Sequence, residues 1–365
     1  MKDRIDVEIP RPSLSTTIIV GKNILGKIAV KIDLSQYTQF AVVTEKRVQD
    51  LFGAELMKGL EPTGKPVYSF LLNASESNKT EEEANRVLSE ILAINPPIDR
   101  KMLMFALGGG VIGDMAGYIA GRCLRGVDYC QVPTTLLAMV DSSLGGKTAV
   151  DYKGITNMIG LFHLPRATVM DVNVLRTLPD REFKSGLAEL IKHSFLNAAM
   201  FGFISETNAQ NIREDTDTLI EALKLSAEYK MGIVNQDFEE KTGLRKVLNL
   251  GHTGGRAFET ATGLTRFTHG EAVSLGMTAT LLISNKVGYL PDQEMNNLLE
   301  TMKKFGLLTR TSGIDRNLLW AAIRADKKSM EGIPRFVLLE GVGRPQIDCS
   351  VDEQIVNEAL DKIIL

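Results

Sequence analysis

Four histidines are spread along the 365 residues, His163, His193, His252 and His269, and two of them stand beside glycine where a helix is expected to start. His252 lies in LNLGHTGG and His269 in FTHGEA. A histidine at a helix start is poorly placed for an apolar core and well placed to face a cleft. Glu189 and Lys192, three apart in GLAELIKH, share one face of an otherwise apolar helix. A buried carboxylate needs a partner, and a divalent cation is a good one. Glu189, His252 and His269 would together make a three-ligand set with positions left for substrate, the pattern of a catalytic zinc site. Two satisfied histidines and a surface Glu189–Lys192 pair fit the same spacing, so the residues alone leave both readings open.

Other segments carry phosphate and anion chemistry. In ALGGGVIGDMAGYIAG, Gly108, Gly110 and Gly113 have G-x-G-x-x-G spacing after an expected strand and before a helix. Glycines there permit positive φ and close backbone approach, and the helix start supplies free N–H groups for phosphate oxygens. The acidic residue expected about twenty positions further on is missing at a clean strand end, so a tight structural turn also fits. DSSLGGKTAVDYKGITNMIG puts Asp141, Lys147 and Asn157 into one expected loop region, where a lysine can hold a phosphate as a point charge. It lacks the first glycine of a P-loop, so ATP is not implied. Lys230, Arg245, Asn249, Lys327 and Lys328 in the second half, with Arg125 in the first, suggest an anionic substrate.

These residues must be positioned by two different kinds of structure. QFAVVTE (39–45) and KMLMFALGGG (101–110) read as buried strands, and YCQVPTTLLA as a strand running into a loop. Between the first two, TEEEANRVLSEILA reads as a helix opened by a capping box of Thr80 and Glu83. After Pro179, apolar residues three and four apart dominate, with Thr268 and Glu271 as a second capping box. The expected fold is a Rossmann-like α/β nucleotide-binding domain over residues 1–178, then a mostly α-helical metal- and substrate-binding domain over 179–365, with a site in the cleft between them.

Composition excludes several function classes. A net charge of −3 and a pI near 6 give no reason to expect a nucleic acid partner. Cys123, Cys130 and Cys349 resemble neither a disulfide framework nor a zinc ribbon and read as buried thiols in a reducing compartment. No apolar run is long enough to span a bilayer, and MKDRIDVEIPRPS has no signal-peptide character, so a cytoplasmic location is expected.

Taken together, GGGVIGDMAG, LRGVDYCQVPTTLLAMVDSSLGGKTAV, NMIG, TLPDREFKSGLAELIK, GLRKVLNLGHTGG and HGEAV, in this order over about residues 40–345, resemble the dehydroquinate synthase family of sugar phosphate cyclases. The resemblance implies Glu189, His252 and His269 as ligands of a divalent metal, zinc or cobalt. It implies NAD contacts at Glu45, Glu76, Lys79, Gly109, Gly110, Val111, Asp114, Thr134, Thr135, Lys147, Thr156 and Thr177. Substrate handling falls to Asp141, Lys147, Lys192 and Asn249 as catalytic residues, and to Asn157, Lys230, Arg245, Arg256, Lys327 and Lys328 as binding residues. Arg125 matches an arginine delivered across a dimer interface, so a homodimer is implied.

The chemistry so implied converts 3-deoxy-arabino-heptulosonate 7-phosphate to 3-dehydroquinate with catalytic, recycled NAD. Two positions depart from the family pattern: Arg256 replaces a second histidine near the phosphate, and Thr156 replaces a lysine before Asn157. One extra residue, judged against family spacing, separates Lys230 from Arg245. The departures point to a runner-up, a related cyclase such as aminodehydroquinate synthase. A metal-dependent alcohol dehydrogenase of the glycerol dehydrogenase type and a silent NAD-binding homologue are further alternatives.

Overall fold

Consecutive apolar residues closed by turn residues form strands that can be covered on both faces, and this chain builds a parallel sheet from them. A computed structural model describes residues 13–325 and 334–365. Its strands are β1 (Thr17–Gly21), β2 (Gln39–Thr44), β3 (Val67–Leu71), β4 (Met102–Gly108), β5 (Asp128–Pro133), β6 (Lys147–Tyr152), β7 (Ile155–Phe162), β8 (Ala167–Asp171), β9 (Arg335–Leu339) and β10 (Pro345–Ser350). Six of them form one sheet in the order β1-β8-β5-β4-β2-β3, with every pairing parallel. All residues of β2 and β4 are buried, as their unbroken apolar runs require. The strand order reverses between β2 and β4, so ligand chemistry is expected at their C-terminal ends, around Glu45 and Gly109.

One sheet face is covered by the helices Glu81–Leu92 and Gly110–Arg122, through Val87, Ile91, Met115 and Ile119. The other face belongs to a cluster that runs from Phe40 and Phe105 through Leu136 and Met139 to Leu187 and Ile191 of the helix Asp180–Leu196. A third cluster joins the helices His252–Ala261 and His269–Lys286 to β9 and the final helix Glu353–Asp361. The helix His269–Lys286 is buried along most of its length, and among the described residues no helix is long and apolar enough to cross a membrane.

Three local expectations are corrected. The segment from Asp141 to Asn157 is not one loop: Asp141 sits in the helical turn Ala138–Ser142, while Lys147 opens β6 and Asn157 lies in β7, its antiparallel hairpin partner. The Thr80 capping box is half made, since Thr80 accepts the Glu83 N–H but the Glu83 carboxylate turns to Asn73 N (2.8 Å) and Arg86. The Thr268–Glu271 box is complete. Finally, Gly108, Gly110 and Gly113 all have negative φ. They are needed for space instead, because a Cβ at these positions would crowd Ile112, Ser142 and Gln131.

Close approach also governs the helical half. A Cβ on Gly276 would overlap the carbonyl of Gly251, and one on Gly270 would overlap the backbone of Ser185. The three helices that carry Glu189, His252 and His269 therefore touch backbone to backbone. Gly276→Ala should cost about 2 kcal/mol of unfolding free energy through overpacking. Gly232→Ala, on an exposed helical face with open space around its Cβ, should instead stabilise by about 0.5–1 kcal/mol. Urea unfolding followed by circular dichroism measures both; equal effects would contradict this account of the crossing.

Candidate active site

Pro179 starts the helix Asp180–Leu196, whose residues from Ser185 onward are almost all buried. Its inner face brings Glu189 and Lys192 to complete or near-complete burial, at 0% and 1% exposure. The Lys192 ammonium pairs with Glu189 Oε2. Glu189 Oε1 has no hydrogen-bond partner. It faces His269 Nε2 at 3.5 Å and His252 Nε2 at 3.7 Å.

The opposite ring nitrogens are already engaged: His252 Nδ1 lies 3.2 Å from Leu250 O, and His269 Nδ1 lies 3.0 Å from Glu259 Oε1. Both imidazoles are thus aimed by a second partner, the arrangement expected of metal-ligating histidines. Ligand atoms around a tetrahedral zinc sit about 3.3 Å apart, given bonds of about 2 Å. The three atoms here, all within 4.8 Å of one another, fit that requirement with slight contraction. The reading of Glu189 and Lys192 as a surface pair is excluded by their burial.

Electrostatics divides these three residues. Burial disfavours the charged carboxylate of Glu189, yet Lys192 and the two imidazoles hold it well below the usual carboxylate range. Burial, reinforced by Lys192 and Arg256, keeps His252 neutral. Burial also opposes charge on His269, but the Glu189 and Glu259 carboxylates outweigh it and raise this group to about 10. Asp141, Glu189 and His193 make a second tight cluster. Lys230 and Lys192 already engage its two carboxylates, so a cation there would meet two ammonium groups.

The remaining site residues gather in three places. Lys230 is buried and donates to the Asp141 carbonyl (2.5 Å) and carboxylate (2.7 Å). Arg245, also buried, donates to Phe238 O at 2.8 Å, and its Nε lies 3.7 Å from Glu240. Lys147 crosses from β6 to pair with the same Glu240 carboxylate.

At the ends of β2 and β3, a cleft of about 930 Å³ is lined by Glu45, Asn73, Glu83 and Thr177. The helix start at Gly109, Gly110 and Val111 lies at the end of β4, next to the buried Thr134. A Cβ on Gly109 would meet Thr135, whose hydroxyl accepts the Ala138 N–H at 3.1 Å. Lys79 is buried and donates to Asp114 Oδ2 (2.6 Å) and Asn157 Oδ1 (2.5 Å), so Asn157 joins Lys79 and Asp114 and not the Lys230 group.

Other residues lie further out. Asn249 is half-buried in a small recess with Lys246, Thr253 and Asp348. Arg256 is exposed one helical turn after His252, and Thr156 is exposed on β7. Arg125 is exposed in a turn with φ of 68°. Lys327, Lys328 and the Glu76 side chain lie outside the described residues. Sequence reading missed Glu259 and Glu240. Glu259 falls two turns after His252 on the same helix face, a spacing that would have found it; Glu240 carried no such signal.

Residues 69–185 match the family described as 3-dehydroquinate synthase N-terminal, and residues 186–329 match 3-dehydroquinate synthase C-terminal. The chain belongs to the 3-dehydroquinate synthase family. The family member from Thermodesulfovibrio yellowstonii, named 3-dehydroquinate synthase, is 34% identical over 363 residues, covering 99% of this chain and 100% of its own. That from Pelobacter propionicus, of the same name, is 39% identical over 328 residues, covering 90% and 89%. The solved 2-epi-5-epi-valiolone synthase of Streptomyces hygroscopicus subsp. jinggangensis, with NAD+ and Zn2+ bound, superposes at TM-score 0.87 with 25% identity, covering 98% and 99%.

Glu259→Gln should weaken zinc binding by about 10- to 100-fold, the usual loss when the partner that orients a metal-bound histidine is changed. Competition against a chromogenic chelator measures it. Unaltered affinity would show that Glu259 does not orient His269.

Proposed function

We propose that this chain catalyses the 3-dehydroquinate synthase reaction, converting 3-deoxy-arabino-heptulosonate 7-phosphate to 3-dehydroquinate and phosphate with NAD and a divalent metal, zinc or cobalt. The observation that carries the reading is the Glu189–His252–His269 set, with Glu189 and His252 buried, His269 half-buried and a carboxylate oxygen orphaned, in a member of this family. When bound, the dinucleotide supplies hydride acceptance and return, and the metal lowers the pKa of the hydroxyl it holds.

The protein's own groups do the rest. Glu189 with the two Nε2 atoms would hold the metal. Gly109, Gly110 and Val111, with Thr134 and Thr135, would receive the pyrophosphate at a helix start. Glu45 and Thr177 would border the adenosine in the cleft that they share. Lys192, beside the ligand set, supplies a buried ammonium that can donate to substrate hydroxyls. Lys230 and Arg245 are buried cations of different shape. The planar guanidinium suits a carboxylate, and the Lys230–Asp141 pair fixes a point charge close by. Asn249 is proposed to join the polar handling, and Arg256 to hold phosphate; a guanidinium cannot act as a base near neutral pH.

The proposed division of labour puts nucleotide on residues 1–178 and metal with substrate on 179–365, in a cytoplasmic homodimer. The free thiols support a reducing compartment, with the Cys130 thiol pushed by burial up to about 12. Exposed Arg125 and the exposed apolar residues Met158 and Phe162 on β7 support self-association. Sedimentation of the intact chain checks it.

Arg256 favours a second reading, a related cyclase with another sugar phosphate. Phosphate release from 3-deoxy-arabino-heptulosonate 7-phosphate, with NAD and zinc or cobalt, separates the two. The expected result is 3-dehydroquinate without net NADH, with Arg256→His changing turnover but not metal content. Protein that binds zinc and NAD yet leaves this substrate unchanged would transfer the assignment to the second reading.

A further inference from the structure

Two cations proposed for substrate recognition do not stand free: both meet one oxygen of Glu240. Lys147 Nζ, from the start of β6, pairs with Glu240 Oε1, and Arg245 Nε approaches the same atom at 3.7 Å from the opposite half of the chain. Arg245 is buried and is held from behind, donating to Phe238 O at 2.8 Å. The side chains of Lys147 and Glu240 are 51% and 39% exposed, so these are the parts that can move.

The loop holding Glu240 is built to project it. Asp237 accepts the backbone N–H of Thr242 (3.0 Å) and of Arg245 (3.2 Å), which closes the loop over Asp237–Arg245. Glu240 itself sits at φ of 56°, a left-handed conformation that a residue with a side chain adopts at some cost. The loop falls between Lys230 and Arg245.

Two convergent cations with an oxyanion between them make an anion site, and here the anion belongs to the chain. We propose that Glu240 is a built-in competitor. Its carboxylate occupies the Lys147–Arg245 anion site when substrate is absent and swings out when an oxyanion group of the substrate takes its place. Glu240 then keeps Lys147 and Arg245 together before binding and raises the threshold for occupancy by small inorganic anions. The proposal rests on the anionic-substrate reading above, but not on turnover.

Inorganic phosphate tests it, titrated calorimetrically into the intact wild-type chain and its variants at one ionic strength. Releasing an exposed ion pair is worth up to about fivefold in affinity, so Glu240→Gln should bind phosphate about two- to fivefold more tightly. Glu239→Gln removes the same charge one residue away, where Glu239 pairs with Lys241, and should leave binding unchanged. The gain should vanish when Glu240→Gln is combined with Lys147→Ala. Equal tightening by both single glutamine variants would mean a general change in field and would overturn the proposal. So would unchanged or weaker phosphate binding in Glu240→Gln, because the carboxylate would then be scaffolding the cations. Either failure leaves the metal site and the catalytic assignment untouched, and failure of the turnover assay leaves this titration valid.

Discussion

Removing a carboxylate from water is costly unless something replaces the lost hydration, and Glu189 has been removed entirely. Lys192 compensates one of its oxygens. The other has no donor, and points between two imidazole nitrogens that sit too far away for hydrogen bonds. A structure with such a group at its centre is incomplete as a purely organic assembly. A divalent cation would satisfy the oxygen and could be held by both Nε2 atoms as well.

Much of the helical half can be understood as the means of holding that arrangement. Histidines next to glycine put the ligands at helix starts, and the glycines let three helices come into backbone contact. Gly270 lies against Ser185 and Gly276 against Gly251, so the ligand set is fixed by main-chain contacts and not by flexible side chains alone. The parallel sheet supplies the second requirement. Its order reverses between β2 and β4, and the helix start at Gly109 and the Glu45 cleft lie at their ends. One hydrophobic cluster joins the sheet to the helix that carries Glu189, which couples the two parts mechanically.

The features legible in the sequence are those with a local cause. Unbroken apolar runs marked β2 and β4, helical periodicity marked the second half, and the rare histidines beside glycine marked two members of the Glu189–His252–His269 cluster. Features set by distant partners were not legible. Glu83 looked like a capping-box residue, but Asn73 and Arg86 take its carboxylate. The hairpin β6–β7 was hidden in a segment of glycine, hydroxyl and charged residues, and with it the separation of Asn157 from Asp141. Glu240 was invisible because its role depends on Lys147, 93 positions earlier, and on a left-handed backbone that no local pattern announces.

The central claim is that Glu189, His252 and His269 bind one metal ion together. X-ray absorption spectroscopy of the zinc-loaded intact chain tests it most directly. The account predicts one zinc per chain with two imidazole nitrogens and at least one carboxylate oxygen as protein ligands, and loss of that spectrum in Glu189→Gln. A zinc shell without imidazole, or one unchanged in Glu189→Gln, would contradict it.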